Sequence, residues 1–416
     1  MTLEPTSHLT SCRACGKGRL KSFINLGTTP LSNAMVPFDA ADKGEVAYPL
    51  HAFVCEDCFL VQLGEFETPE SIFMEDYVYF SSFSTSWLDH AQRYSRQMIE
   101  RFDLSEEAHI AEVASNDGYL LQWFQKAGFK VTGIEPADVC AAAARKIGVE
   151  TIGVFFGVET ARAIAEQRGK ADLIAANNVL AHVPDLADFV GGFRELLSAD
   201  GVITFEFPHL LNLIEQTQFD TIYHEHFSYL SLRPVMEVLR NADLRVFDVE
   251  ELSTHGGSLR VFACHQSARH AEDQRVDALL AKEEQAGIYD AATYDGFSQN
   301  VCAIKDDLLE FLIKARRHGK SVAAYGAAAK GSTLLNYCGV GPEHVRFVVD
   351  KNPMKQQRFM PGVRIPVHDV EHLVANMPDY VLILPWNLRT EIDQQLSEMR
   401  VSSKRVTAIP RLEISS

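Results

Sequence analysis

The chain has 416 residues, 46% of them hydrophobic and 23% charged, a balance that supports folding but a length beyond one ordinary core, so two or three domains are expected. A formal net charge of -17 excludes broad electrostatic binding to nucleic acid, though not to a nucleotide, whose diphosphate needs only a few local donors. The first residues lack a basic stretch leading into an apolar one, and no run of about 18 apolar residues occurs, so a cytoplasmic protein without a membrane segment is expected.

Residues 1–78 hold two Cys-x-x-Cys pairs, a Gly/Pro-punctuated middle and the alternating run Tyr48–Val54, which together predict a small strand-and-turn domain. From Ser81 the texture becomes helical, with Trp87, Ala91, Tyr94 and Met98 spaced by three and four residues. Strand-like runs at 109–113, 131–135, 171–176 and 201–206 then alternate with helix-like stretches, the pattern of a doubly wound parallel sheet, and 244–249 with 257–264 reads as an antiparallel pair at its edge. A charge-rich helical stretch over 269–319 leads into a second alternation, with strands expected at 321–325, 345–350, 380–385 and 406–410. The expected architecture is α/β: a zinc-binding domain over 1–78, a Rossmann-like cofactor domain over 79–268 and a second Rossmann-like domain over 269–416.

Cys12, Cys15, Cys55 and Cys58 can each supply a thiolate from a tight turn, and four thiolates complete the tetrahedral shell that zinc favours. Two redox pairs are the alternative, but a redox Cys-x-x-Cys sits at a strand-to-helix junction and would not come twice. A closed four-sulfur shell leaves no open position, so one structural zinc is expected.

The first strand of the central alternation runs into Ala114-Ser-Asn-Asp-Gly118, with Glu112 at its end, and Glu135 ends the following strand, where a carboxylate commonly accepts hydrogen bonds from a ribose. A dinucleotide loop would show three glycines, and only Gly118 is present, so a ribose-bearing cofactor without a pyrophosphate fits, S-adenosylmethionine being the common one. Ser115, Asn116, Gly118, Asn177 and Asn178 are expected around it, and an ordinary surface turn is the blander alternative.

After the strand ending at Glu206 comes Tyr223-His224-Glu225-His226, a density of proton-handling groups beyond the edge where ligands of such sheets bind, with His182 expected to converge on the same place. In an extended segment the two histidines share a face, whereas a turn separates them; His226 is favoured as the acting one. Such density suits methyl transfer to carbon, because a carbon nucleophile must first be made by removing a proton next to a carbonyl. A polar surface loop and a second metal site are the alternatives. In the last domain Gly326-Ala-Ala-Ala-Lys330-Gly331 lies between a strand and a helix, so Lys330 and Gly326 are candidates for holding a diphosphate, with simple helix–strand packing as the alternative.

These marks, joined by Leu26-Gly-x-x-Pro-Leu-Ser-Asn33, Cys58-Phe-Leu-Val-Gln-Leu63, Tyr77-Val-Tyr-Phe-Ser-Ser82 and His255-Gly-Gly-Ser258, resemble the nucleotide-sugar C-methyltransferase family along the whole chain. The likeness is greatest to enzymes that methylate C-3' of dTDP-3-amino-2,3,6-trideoxy-4-keto sugars on the way to branched antibiotic sugars of the tetronitrose and kijanose type. The resemblance implies a dTDP-linked 4-keto-deoxysugar substrate, His226 as the base at C-3', and Tyr223, Glu225, His182 and Tyr77 around the sugar. In-line displacement at the methyl then puts the base and the methyl donor on opposite faces of the carbon if configuration inverts. Ala114 stands where many methyltransferases carry glycine. Methylation at C-5 or another carbon and a non-catalytic zinc-ribbon nucleotide-binding protein are the competing readings. The oligomeric state is left open, a monomer being compatible with the sequence.

Overall fold

The alternation along 109–265 produces a seven-stranded sheet, in spatial order 244–252, 258–265, 197–208, 171–177, 109–113, 130–134 and 151–152. The last five in that order are mutually parallel, and 258–265 and 244–252 add antiparallel at one edge. This computed structural model describes residues 9–68 and 80–415. From strand His109–Val113 the chain winds first to one side and then to the other, so a crevice opens at the carboxyl ends of 109–113 and 171–177. The helix over Thr85–Phe102 buries Trp87, Ala91, Tyr94 and Met98, the stripe read from its spacing, and starts at Ser84, whose hydroxyl accepts from the Trp87 amide.

The second alternation builds an eight-stranded sheet in the order 413–415, 404–407, 380–383, 322–325, 348–349, 366–368, 358–359 and 36–37. Its parallel centre again reverses direction beside the first strand, Val322–Tyr325, which places Gly326–Gly331 at a switch point of its own. The charge-rich stretch becomes the helices Gln274–Gln285 and Phe297–Arg317, and the longer one buries Phe297, Val301, Ile304, Leu308, Phe311 and Leu312 along one face.

The N-terminal sheet does not respect the divisions expected at residues 78 and 268. It runs 20–29, 48–55, 61–63 and then Ser228–Tyr229, a strand contributed by the central part of the chain, while Val36–Pro37 leaves the N-terminal part to pair with Arg358–Phe359 at the edge of the last sheet. Phe23 packs against Tyr294 and Phe297, with ring centroids 5.2 and 4.7 Å away. Leu60 belongs to the core of the central sheet. Apolar burial is worth about 25 cal/mol per Å², and here that stabilisation is shared among all three sheets. No helix among the described residues is long and apolar enough to cross a membrane.

Candidate functional site

The four cysteines come together at the base of the N-terminal sheet. The Sγ atoms of Cys12 and Cys58 lie 3.5 Å apart, those of Cys15 and Cys55 3.7 Å, and all four within 4.8 Å of one another. A zinc–sulfur bond of about 2.3 Å places tetrahedral sulfurs about 3.8 Å apart, so the donor set fits one zinc. None of the four lines the cavity described next, and four thiolates fill the shell, which makes the metal structural.

At the crevice of the central sheet lies a cavity of about 560 Å³, lined mainly by the central part of the chain, with Asn33 reaching in from the N-terminal part and Ala328, Ala329, Lys330, Lys355 and Asn387 from loops and a helix of the last part. Its floor is the turn after 109–113. Ala114, Asn116 and Gly118 all take positive φ, at 57°, 48° and 80°, which lets the chain fold back under the next strand. Glu135 holds that turn: its carboxylate accepts from the amides of Asn116 at 2.9 Å and Ala137 at 2.8 Å, and burial raises its pKa. Asn116 and Asp117 in turn receive the amides of Ser81 and Ser82, which tie the entrance of the helix at Thr85 to the floor.

Of the residues expected around the cofactor, Asn116, Glu135, Asn177 and Asn178 line the cavity. The side-chain carbonyls of Asn177 and Asn178 are buried without a partner, acceptors set out for a ligand's donors. Glu112, Ser115 and Gly118 stand behind this wall. Glu112 is fully buried beside the Tyr119 hydroxyl, though not in hydrogen-bonding geometry, and burial lifts its pKa well above the usual carboxylate value. Ser115 packs on the strand at Gly133, and a Cβ on Gly118 would meet Ile147 and Val149 at 3.2 Å.

The acid–base cluster occupies the opposite wall, and its segment is a turn and not an extended strand: the His226 amide donates to the Tyr223 carbonyl at 2.9 Å. The two histidines therefore diverge. His224 donates through Nε2 to the Pro49 carbonyl at 3.2 Å and packs against Tyr48 and Phe66, whereas His226 faces the cavity. His226 Nδ1 lies 2.9 Å from the Thr221 carbonyl, which can only accept, so Nδ1 carries the proton and Nε2 is left with its lone pair. Into that lone pair the Tyr223 hydroxyl donates at 2.9 Å. Burial, then His182, holds the His226 pKa well below the ordinary histidine value, and burial brings His182 itself to about 4. The two rings meet edge to face at 4.6 Å.

Glu225 accepts from Asn33 at 2.8 Å through both oxygens, and burial raises its pKa to about 7 against the opposing pull of Asn33 and Lys355. Lys330 reaches the cavity from the first turn of the helix Ala329–Cys338, with Nζ 2.7 Å from Asn387 Oδ1. Gly326 does not face the cavity. Its φ is +86°, and a Cβ there would lie 2.6 Å from Pro385 Cδ, so it serves close packing and not a diphosphate. Tyr77 falls outside the described residues.

Several cavity residues carry no assignment from sequence. Asn33 ends the Leu-Gly-x-x-Pro-Leu-Ser-Asn motif and reaches across to Glu225, and the motif itself was the available signal. Trp87, placed on a helix by its spacing, is buried but shows its ring to the cavity, stacked on Tyr119 at 5.7 Å and edge-on to His255 at 4.8 Å. His255 belongs to the His-Gly-Gly-Ser motif; burial lowers its pKa to about 4, and its Nδ1 is buried without a partner. Its loop is anchored by Glu206, which accepts from Thr254 at 3.0 Å and pairs with Arg260 at 2.7 Å and His90 at 2.9 Å. Burial alone would raise the Glu206 pKa, but His90 and Arg260 overcome it and hold it at about 2.

Residues 253–410 match the family described as "C-methyltransferase C-terminal domain", residues 87–249 the family "Methyltransferase domain", and residues 12–73 the family "Putative zinc binding domain". The C-methyltransferase NovU of Streptomyces niveus is 35% identical over 406 residues, covering 97% of this chain and 96% of that protein. Among solved structures, the magnesium protoporphyrin IX methyltransferase ChlM of Synechocystis PCC 6803 with bound SAM is 13% identical, with a TM-score of 0.33 over 43% of this chain and 81% of that one. The glycopeptide N-methyltransferase MtfA is 14% identical, with a TM-score of 0.34 over 42% of this chain and 96% of that one.

Proposed function

Because the chain belongs to the sugar C-methyltransferase family, we propose that it carries the methyl group of S-adenosylmethionine to C-3' of a dTDP-linked 4-keto-deoxysugar bearing a 3-amino group, in cytoplasmic synthesis of a branched antibiotic sugar. S-adenosylmethionine supplies an electrophilic methyl on a sulfonium. The residues that would hold it are Glu135, Asn177 and Asn178, with Asn116 shaping the floor.

The observation that carries this reading is His226. Its tautomer is fixed by Thr221, its Nε2 keeps a lone pair in the cavity, and it stays neutral at pH 7. A 4-keto group acidifies the neighbouring C-3' hydrogen, so a neutral imidazole in contact with that carbon can take the proton. Tyr223 orients the imidazole and donates to it until substrate intervenes, while His182 closes the wall beside it. Glu225, clamped by Asn33, is positioned to accept from a hydroxyl or amino group of the sugar.

The test is incubation of a panel of dTDP-sugars with S-adenosylmethionine, followed by mass and NMR analysis of the product. One added methyl at C-3', strictly dependent on the 4-keto group, is expected, and His226→Asn should lower kcat by about 10³-fold or more, the scale lost when a general base is removed. A methyl at C-5, methylation without the ketone, or an undiminished His226→Asn variant would each overturn the assignment.

A further inference from the structure

Removing the C-3' proton moves charge onto the ketone oxygen, and the histidines around His226 cannot stabilise it as cations, since burial keeps His182 and His255 neutral at pH 7. The ionisation needs a positive charge or strong donor near the base. Lys330 lines the cavity close enough to lower the pKa of both His226 and His255; burial lowers its own pKa, and Asp220 opposes that shift and favours the ammonium. The surrounding structure is built to aim it. Its Nζ donates to Asn387 Oδ1 at 2.7 Å and lies 4.7 Å from the centre of the Trp386 ring. Trp386 is itself fixed by donating through its indole nitrogen, at 2.8 Å, to Asp220, a fully buried carboxylate just upstream of the catalytic turn.

Two glycine motifs make room for this arrangement. Gly256, at φ +90°, has Trp386 2.4 Å from where a Cβ would stand, and Gly326 has Pro385 at 2.6 Å. The segment Leu384–Asn387 is therefore wedged between a loop of the central sheet and the first turn of the last one. A lysine meant to grip a flexible diphosphate at the cavity mouth would need no such scaffold. This one is held beside the base, at the start of a ten-residue helix whose N-terminal dipole adds to its positive field.

We propose that Lys330 is a catalytic residue: its ammonium donates to the sugar's 4-keto oxygen and carries the negative charge that forms there, with Asn387 and Trp386 as positioning residues. This rests on the C-methylation reading above. In the step it serves, His226 Nε2 takes the C-3' proton, the C–H electron pair becomes the C-3'–C-4' double bond, and the carbonyl π pair moves to the oxygen under Lys330. The pair then returns through carbon: C-3' bonds to the methyl, the sulfur–methyl bond breaks with its electrons to sulfur, the carbonyl reforms, and His226 is left protonated.

The experiment separates ionisation from methyl transfer. The wild-type protein, Lys330→Met and Asn387→Ala are compared in D2O for deuterium entry at C-3' without S-adenosylmethionine, and for kcat and KM with it, thermal melting and S-adenosylmethionine calorimetry serving as folding controls. Lys330→Met should lose deuterium entry and kcat together by about 100-fold or more, the scale of one lost oxyanion donor, with the sugar KM within about threefold. Asn387→Ala should lose about tenfold in both with KM unchanged, an intermediate loss for a misaimed donor. A raised KM with kcat and deuterium entry preserved would make Lys330 a nucleotide clamp and overturn the proposal. Failure of Lys330→Met to melt cooperatively or bind S-adenosylmethionine moves the decision to Asn387→Ala, where undiminished kcat and deuterium entry would also overturn it. Should the wild type methylate no 4-keto sugar, the C-methylation reading falls first and this one with it.

Discussion

The two Rossmann-like sheets of this protein each begin with a strand that ends in a tight turn at a switch point, and the two turns do different work. The first, Ala114–Gly118, is open: three residues at positive φ curl beneath Glu135, and Ala114 and Asn116 face the cavity. The second, Gly326–Gly331, has Pro385 and Leu384 packed where its glycine side chains would stand, and only Ala328, Ala329 and Lys330 between them reach the cavity. One turn leaves its concave side open to the cavity, and the other lodges a loop there and holds out a lysine. A place in the topology thus predicts where a ligand can bind, and the local packing decides whether one does.

Substitutions at the two turns should separate these roles. Gly326→Ala puts a Cβ at positive φ and 2.6 Å from Pro385, which should cost about 3 kcal/mol of stability in thermal melts while leaving S-adenosylmethionine affinity unchanged. A fall in that affinity without destabilisation would make the second turn a ligand site after all. Glu135→Gln should touch both properties, weakening S-adenosylmethionine about tenfold by calorimetry, or roughly 1.4 kcal/mol, and lowering the melting temperature as well, because one of the two oxygens that accept from Asn116 and Ala137 becomes an amide donor. Equal affinity in the variant would remove Glu135 from the cofactor site. The smallest change is Ala114→Gly, which relieves a non-glycine residue at φ 57° and should raise stability by about 0.5–1 kcal/mol, opposite in sign to Gly326→Ala. A destabilised variant would mean that the alanine methyl contributes to the cavity wall more than its backbone conformation costs.

Much of the frame was legible in the sequence because it follows from local rules. Strand-like runs alternating with helix-like ones marked most strands of both Rossmann-like sheets, and the spacing of four cysteines marked the zinc shell. The Tyr-His-Glu-His segment stood out because ionisable groups seldom crowd together without purpose. What stayed hidden depends on contacts far apart in the chain. Val36–Pro37 and Ser228–Tyr229 are two residues each, too short to show alternation, yet both join sheets built by other regions. Only the turn geometry could divide His224 from His226, and the service of Gly326 to Pro385 appears only when residues 59 positions apart meet. The pairing of Glu206 with His90 and Arg260 likewise spans 116 and 54 positions.

The two short strands bear on how such proteins can be inherited. Ser228–Tyr229 ties the segment just after the Tyr223–His226 turn to the zinc-bearing sheet, and Val36–Pro37 ties the N-terminal part to the last sheet. A gene exchange that replaced the first 80 or so codons with those of a distant relative would deliver a zinc knuckle intact but break both couplings. Substrate preference in this lineage should therefore shift by point changes within the cavity walls, and viable natural chimaeras should be joined where no strand has been lent across the seam.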